Sequence, residues 1–173
     1  MRDPGGGPHS ATQDAPISSG LYTAEQRKRR DESRWTLVQG ILAPVQFLVF
    51  LVSLGLVIRT LMTGAGYELA TASIILKTLF LYLIMITGAI WEKEVFGRYL
   101  LASAFYWEDV FSFLVLALHT AYLIALFTGA LSATALLWLA LAAYAAYVIN
   151  AVQFVLKLRS ARLQSAATAT AES

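Results

Sequence analysis

The sequence WTLVQGILAPVQFLVFLVSLGLVIR, residues 35–59, decides the fold class of this chain. It carries no charged residue before Arg59, and it exceeds the roughly 20 apolar residues that an α-helix needs to cross a bilayer. Trp35 lies where an interfacial aromatic anchor is expected, and the long side chain of Arg59 can reach the opposite interface. This stretch therefore predicts a transmembrane helix.

Three further apolar runs of similar length follow, at residues 69–91, 108–128 and 135–156. Only 14% of the chain is charged, against about a quarter in soluble domains, and the runs are too long and uninterrupted for alternating β-barrel strands. We expect an all-α integral membrane four-helix bundle over residues 22–162. The polar or frayed ends, residues 1–21 and 163–173, are predicted to be disordered tails.

Lysine and arginine counts near the span ends predict the topology. With four spans, Arg59 falls on one side of the membrane, and the other side receives Arg27, Lys28, Arg29, Arg30, Arg34, Lys93, Arg98, Lys157, Arg159 and Arg162. Both termini and the connection 92–107 are therefore expected in the cytoplasm. The basic cluster at 27–34 is either a topology signal or a docking site for anionic lipid or a partner. Before it, Thr23 and Gln26 have the spacing of a capping box for a short helix.

Polar residues inside the predicted spans suggest helix packing or function. Gln39, Gln46, Ser53 and Thr60 recur at heptad spacing, which favours contact with a neighbouring helix. Lys77 either snorkels to the far interface or faces the bundle interior.

Composition excludes several classes of function. The chain has no cysteine, which rules out disulfides, thiolate nucleophiles, iron–sulfur clusters and covalent c-type haem. The net charge is only +2 and no nucleic-acid-binding motif is present, so no nucleic-acid partner is expected.

The connection between the second and third spans holds the candidate chemistry. A tryptophan stands beside carboxylates twice, in WEKEVF at 91–96 and in WEDVF at 107–111. The two sites are either similar interfacial helix ends with solvated acids or parts of an acid–base site. The four acids concerned are Glu92, Glu94, Glu108 and Asp109.

Helical spacing places a polar stripe on the third span. Its members share one face: Glu108, Ser112, Val115, His119 and Tyr122. With Lys77 and the polar groups of the fourth span, Tyr147, Asn150 and Gln153, this stripe can line a cavity that opens to the cytoplasm. A lone buried histidine such as His119 either makes a hydrogen bond between helices or serves as an axial ligand to the magnesium of a bound pigment.

The blocks WEKEVFG (91–97) and FYWEDVFS (105–112) are the most specific parts of a wider resemblance over about residues 21–162. In them the chain resembles the 3-vinyl bacteriochlorophyllide hydratase (chlorophyllide a hydratase) family of bacteriochlorophyll biosynthesis. The resemblance implies a hydro-lyase that adds water across the 3-vinyl group of chlorophyllide a or 3-vinyl bacteriochlorophyllide a and yields the 3-(1-hydroxyethyl) product. It implies a multi-pass protein of the inner (photosynthetic, intracytoplasmic) membrane with no cofactor, because magnesium belongs to the chlorin substrate and water is the co-substrate.

Site roles are expected from position alone. The acid and base are expected among the four carboxyl groups named above, with Glu108 and Asp109 as the first pair. Substrate binding is expected from His119, Lys77 and the aromatic residues Trp91, Tyr106, Trp107 and Phe111, and His119 is a candidate axial ligand to the substrate's magnesium.

Two other functions fit the same residues. One is a non-catalytic pigment carrier or assembly factor, and the other is a small transporter that uses Lys77 and His119 as an ion pathway. The pigment and the lipid bilayer are the expected partners. Association with other enzymes of the pathway and with further copies of the chain is left open.

Overall fold

A computed structural model describes residues 21–171, with side chains described as far as residue 163. Within these residues the chain forms five α-helices: α1 Ala24–Glu32, α2 Arg34–Thr63, α3 Tyr67–Phe96, α4 Tyr106–Thr128 and α5 Ala133–Ala171. Helices α2 to α5 are each long and apolar enough to cross a membrane. The predicted N-terminal tail lies outside the described residues, apart from Leu21.

Helix α1 begins at the predicted capping box. The Thr23 hydroxyl accepts a hydrogen bond from the backbone N–H of Gln26, and the Gln26 side chain accepts one from the backbone N–H of Thr23. This reciprocal pair satisfies two backbone donors that a helix start otherwise leaves free. The fold therefore has one short polar helix in addition to the four predicted spans.

Helices α2 and α3 form an antiparallel hairpin with a very short turn. Gly64 and Gly66 adopt positive φ angles of 70° and 88°, which a residue with a side chain rarely adopts. The turn is shorter than the stretch 60–68 left between the first two predicted spans, since α2 continues to Thr63 and α3 begins at Tyr67. The predicted polar stripe of α2 packs as expected: Gln46, Ser53 and Thr60 are buried, and Gln39 donates to the Thr87 hydroxyl on α3.

Helices α4 and α5 form the second hairpin, and each hairpin packs mainly within itself. The seam between the hairpins is filled by Phe50, Leu81, Val115 and Tyr144. The contact between the two hairpins is therefore less extensive than the contact within each hairpin.

Helix α1, the loop 97–105 and the C-terminal half of α5 lie at one end of the bundle. Tyr22 stacks on Phe96, and Phe105 stacks on Phe154 of α5, with ring centroids 5.7 and 5.8 Å apart. The structure thus confirms that the basic segments share one side of the bundle, which the predicted topology requires.

The four predicted spans coincide with α2 to α5, but the helices extend beyond them. Helix α3 runs on to Phe96 and ends at Gly97, whose φ is 80°, so the predicted connection 92–107 narrows to 97–105. Helix α5 continues to Ala171, into the segment predicted as a disordered tail. The alanines of this segment have high intrinsic helix propensity, which favours continuation of α5.

Candidate active site

Three of the four predicted carboxyl groups meet where α3 and α4 enter the loop end of the bundle. Glu92, Glu108 and Asp109 are all buried, whereas Glu94 is exposed. The reason is helical geometry: residues two apart lie about 200° apart around an α-helix, so Glu92 and Glu94 face opposite ways. Glu94 instead accepts a hydrogen bond from the Ser33 hydroxyl at 2.7 Å and ties α3 to the start of α2.

The carboxyl groups of Glu92 and Asp109 lie within hydrogen-bonding reach of each other. A hydrogen bond between the two carboxyl groups requires a proton on one of them, because an ionised carboxylate only accepts hydrogen bonds. Two carboxylates in contact also repel each other, which favours a pair that shares one proton. The chain thus brings two carboxyl groups from α3 and α4 into contact, where they can share one proton.

The loop 97–105 is fastened onto this carboxyl pair. The Leu101 N–H donates to Asp109 Oδ2 at 2.7 Å, and the Ala102 N–H donates to Glu92 Oε2 at 3.3 Å. Leu101 has a φ of 58° and is the sole non-glycine residue with positive φ in the described chain. Such a backbone conformation costs about 1–3 kcal/mol and is often found at functional sites.

Glu108 faces a different partner. Lys157 of α5 donates to Glu108 Oε2 at 2.8 Å, and its Nζ also lies 5.3 Å from the centroid of the Phe105 ring. The predicted first pair, Glu108 with Asp109, is therefore not the pair that forms: Asp109 pairs with Glu92. No sequence pattern indicates which carboxyl meets Glu92, because that depends on how the helices are shifted along one another.

Lys157 also lines a cleft of about 370 Å³ at this end of the bundle. The other residues of the cleft come from three elements: Leu21 and Gln26 near α1, Phe96 of α3, and Ser103 and Ala104 of the loop. Its volume is in the range of small-molecule sites. No carboxyl group of the described residues lines the cleft. Lys157 connects the two, since it lines the cleft and also bonds to Glu108.

The aromatic residues predicted to bind substrate fall into two groups. Trp91 lies in an internal aromatic cluster with Phe96 and Phe105, and its indole N–H donates to the Thr36 hydroxyl at 2.9 Å. Tyr106 and Trp107 form an edge-on pair that is exposed on the outer surface. Phe111 is half-buried one helical turn further along α4.

The predicted stripe on α4 is confirmed, and it leads into the bundle interior. Ser112, His119 and Tyr122 are buried with Glu108, and the Asn150 amide of α5 donates to the Ser112 hydroxyl at 2.8 Å. His119 is 0% exposed, and its Nδ1 lies 2.8 Å from the Val115 carbonyl oxygen. It therefore does not face the cleft.

Lys77 is also 0% exposed, so of its two predicted alternatives it faces the bundle interior and does not snorkel to the far interface. Its Nζ lies 4.0 Å from the centroid of the Tyr147 ring and 5.4 Å from that of Tyr144. The aromatic faces of α5 hold the side chain inside the bundle, where an interaction of this type is worth about 2 kcal/mol when desolvated.

Comparison with known proteins identifies the family. Residues 22–160 match the family model described as 2-vinyl bacteriochlorophyllide hydratase. The chain belongs to the 2-vinyl bacteriochlorophyllide hydratase family. The matched range includes all three buried carboxyl groups and the residues of α1, so the short helix is part of the family's domain.

Two curated members of this family are close relatives. The 2-vinyl bacteriochlorophyllide hydratase of Cereibacter sphaeroides is 70% identical over 143 residues, which cover 83% of this chain and 89% of the relative. The protein of the same name from Rhodobacter capsulatus is 67% identical over 151 residues, which cover 87% of this chain and 88% of the relative. No solved structure matches the chain.

Proposed function

We propose that this chain adds water across the vinyl group of a bacteriochlorophyllide, the reaction named by its family and by both relatives. The family name numbers the vinyl position 2 and the resemblance seen in the sequence numbers it 3; both specify a hydratase that acts on the vinyl group. The observation that carries the proposal within this chain is the buried pair of Glu92 and Asp109 on adjacent helices.

The chemistry of a vinyl group on an aromatic macrocycle fits this pair. A protonated carboxyl gives its proton to the terminal vinyl carbon, and the π electrons of the double bond form the new C–H bond. Positive charge then develops on the inner carbon, where the ring delocalises it. Water attacks that carbon, and the second carboxyl removes a proton from the attacking water. The pair begins and ends the cycle with one proton in total, so no redox cofactor enters this scheme.

The hydrogen bonds from the loop support an assignment of roles. A backbone N–H stabilises the ionised form of the carboxyl that it contacts, and the contact to Asp109 (2.7 Å) is shorter than that to Glu92 (3.3 Å). Glu92 is therefore proposed as the proton donor and Asp109 as the base. Glu108, which forms an ion pair with Lys157, is proposed to hold α4 against α5 rather than to transfer a proton.

The test is replacement of each acid by its amide, with turnover measured in membranes as conversion of the vinyl pigment. Glu92→Gln and Asp109→Asn are each expected to lower turnover about 10²- to 10⁴-fold, the usual contribution of general acid–base catalysis. Glu94→Gln is the matched control, since Glu94 lies two residues from Glu92 on the outer face of the same helix. Full turnover in both amide variants, with normal accumulation of the protein, would show that the pair is not the acid and base.

A second measurement separates an enzyme from a pigment carrier. Purified protein is incubated with the vinyl pigment in ¹⁸O-labelled water, and the product is analysed by mass and absorption. A hydroxyethyl product carrying the label supports hydration by this chain alone. Pigment that is bound and recovered unchanged would favour the carrier function.

We propose that the pigment contacts the aromatic residues at this end of the bundle and that its magnesium remains part of the substrate. The outer pair Tyr106 and Trp107 offers an apolar surface to a flat ring, next in sequence to Glu108. A ligand role for His119 stays a prediction, and it requires the two hairpins to separate because the ring is fully buried. The His119→Phe variant tests this role: pigment retention equal to that of the parent protein would remove it.

The basic end of the bundle is proposed to face the cytoplasm, with the spans in the inner, photosynthetic membrane. The asymmetry of arginine and lysine supports this orientation. Because the chain has no cysteine, single replacements report sidedness directly: Ser103→Cys lies in the loop 97–105, and Ser132→Cys lies in the turn before α5. A membrane-impermeant thiol reagent added to spheroplasts is expected to label only Ser132→Cys, and the reverse labelling pattern would invert the topology.

A further inference from the structure

The four spanning helices each direct a buried polar atom into the bundle that finds no hydrogen-bond partner among the described residues. We call these five residues the polar seam: Gln46 of α2, Lys77 of α3, His119 of α4, and Asn150 and Gln153 of α5. Lys77 and His119 are 0% exposed. An unsatisfied buried polar atom costs about 1–3 kcal/mol, and native proteins hold only a few of them.

Lys77 and His119 occupy neighbouring positions within the seam. The Nζ of Lys77 lies 5.4 Å from the centroid of the Tyr144 ring, and the His119 ring lies 5.9 Å from the same centroid. The two side chains come from different hairpins, and they make no direct hydrogen bond. A ligand between them would therefore join the two hairpins.

The hydrogen-bond types of these atoms define what the ligand must do. The Val115 carbonyl can only accept, so the Nδ1 of His119 at 2.8 Å carries the hydrogen, and the neutral imidazole presents Nε2 as an acceptor. The amide oxygens of Gln46, Asn150 and Gln153 are acceptors as well. Lys77 Nζ is a donor. A ligand of this seam must donate to several atoms and accept from one.

Charged ligands do not meet this requirement. An anion would accept from Lys77 but would face the carbonyl oxygens of the amides. A metal cation would suit the amide oxygens and His119 but would face the hydrogens of Lys77 Nζ. Water donates two hydrogen bonds and accepts two, and buried water commonly bonds to two to four otherwise unsatisfied polar groups.

We propose that the polar seam is an internal water-binding site, in which bound water bridges Lys77 Nζ and His119 Nε2 and thereby links the two hairpins. This site is separate from the carboxyl pair: Asp109 and His119 are ten residues apart on α4, about 15 Å along the helix. The proposal does not rest on the proposed hydration reaction and would stand if that reaction were assigned to other residues.

Hydroxyl-radical labelling of the full chain in detergent micelles tests the proposal. Radiolysis of bound water generates radicals in place, so buried aromatic side chains are labelled only where water lies beside them. Tyr144 and Tyr147 are the reporters, because they flank Lys77. A brief transfer into ¹⁸O-labelled water before irradiation separates slowly exchanging bound water, which gives ¹⁶O products, from bulk water, which gives ¹⁸O products.

The expected result is ¹⁶O labelling of Tyr144 and Tyr147 in the parent protein and its loss in Lys77→Met, whose side chain has a similar length but no donor. Lys28→Met, on exposed helix α1, is the control and should label as the parent does. Tyr22, buried in the aromatic cluster away from the polar seam, should stay unlabelled in all three proteins, and label there would report a loss of the fold. Absence of label at both reporters in the parent protein, or label of bulk origin only, overturns the proposal whether or not the variant folds.

Thermal unfolding gives an independent result. Removal of a bridging donor is expected to lower the unfolding temperature of Lys77→Met and to make the Lys77→Met and His119→Leu effects non-additive. A dry seam predicts the opposite sign for Lys77→Met, because the change would then remove an unsatisfied polar atom. A higher unfolding temperature together with additive effects would contradict the bridge.

Discussion

The ion pair between Glu108 and Lys157 gives the sharpest prediction about stability at the candidate active site. Its two atoms lie 2.8 Å apart, the Glu108 side chain is 9% exposed and the Lys157 side chain is 26% exposed. Breaking a fully buried pair costs about 3–5 kcal/mol, whereas exposed pairs contribute about 0–1 kcal/mol. A pair of intermediate burial should fall between these limits.

The two single replacements should differ in cost. Lys157→Met leaves a nearly buried carboxylate without its partner, and we expect it to lower the free energy of unfolding by about 2 kcal/mol. Glu108→Gln leaves an amide that can still accept a hydrogen bond, and the partly exposed Lys157 can turn to water, so we expect a loss of about 1 kcal/mol. The double replacement should cost less than the two losses together, since it removes both charges and leaves no charge without a partner.

The assay is thermal unfolding of the four proteins in the same detergent. A loss of 1 kcal/mol shifts the unfolding temperature by roughly 2–4 °C in a chain of this length, so Lys157→Met should unfold about 4–8 °C below the parent. Lys28→Met on α1 serves as the control for removal of a lysine from an exposed position. Unfolding of Lys157→Met at the parent temperature, or a larger shift for Glu108→Gln than for Lys157→Met, would refute the reasoning.

Three further replacements test local features of the fold by thermal unfolding. Leu101→Gly should raise stability by about 1 kcal/mol because glycine adopts positive φ without strain, while Leu100→Gly, at a position of ordinary φ, should lower it; equal effects would mean that Leu101 is not strained. Tyr144→Phe removes the hydroxyl bonded to Ser53 at 2.6 Å and should cost about 1 kcal/mol, and no change would show that this bond between hairpins adds nothing. Thr23→Ala removes the cap of α1 and should lower helicity and stability by about 1 kcal/mol, unless α1 is held by its packing alone.

The spanning helices were predictable because each depends on one continuous segment. The apolar run at 35–59 is long enough to require a helix in a bilayer, whatever the rest of the chain does. Helix ends were less predictable. Gly97 stops α3 at Phe96, and the signal for that stop, a glycine just after the last helical residue, was present in the sequence. The presence of Lys93 and two glutamates before it favoured a polar connection over a last helical turn.

The faces of single helices were also predictable, whereas contacts between helices were not. Spacing alone placed Ser112 and His119 on the same buried face as Glu108. The partners of the carboxyl groups at the candidate active site could not be predicted in the same way. Glu108 bonds to Lys157 and Asp109 meets Glu92 only because of how α3 and α5 are shifted along α4. Rotation and shift between helices are set by packing of many side chains, and no short motif encodes them.

The loop 97–105 connects the structural role of the acids with their chemistry. Leu101 and Ala102 present consecutive N–H groups to the two carboxyls, so the loop is held in place only while Asp109 and Glu92 keep an oxygen free to accept. One proton on the pair satisfies this condition, since a protonated carboxyl donates through one oxygen and accepts through the other. With two protons on the pair, each carboxyl would hold an O–H that needs an acceptor. With no proton on the pair, two negative charges would repel each other in a buried site. The N–H groups of Leu101 and Ala102 are therefore best matched to the singly protonated pair, which is the state from which the proposed hydration begins.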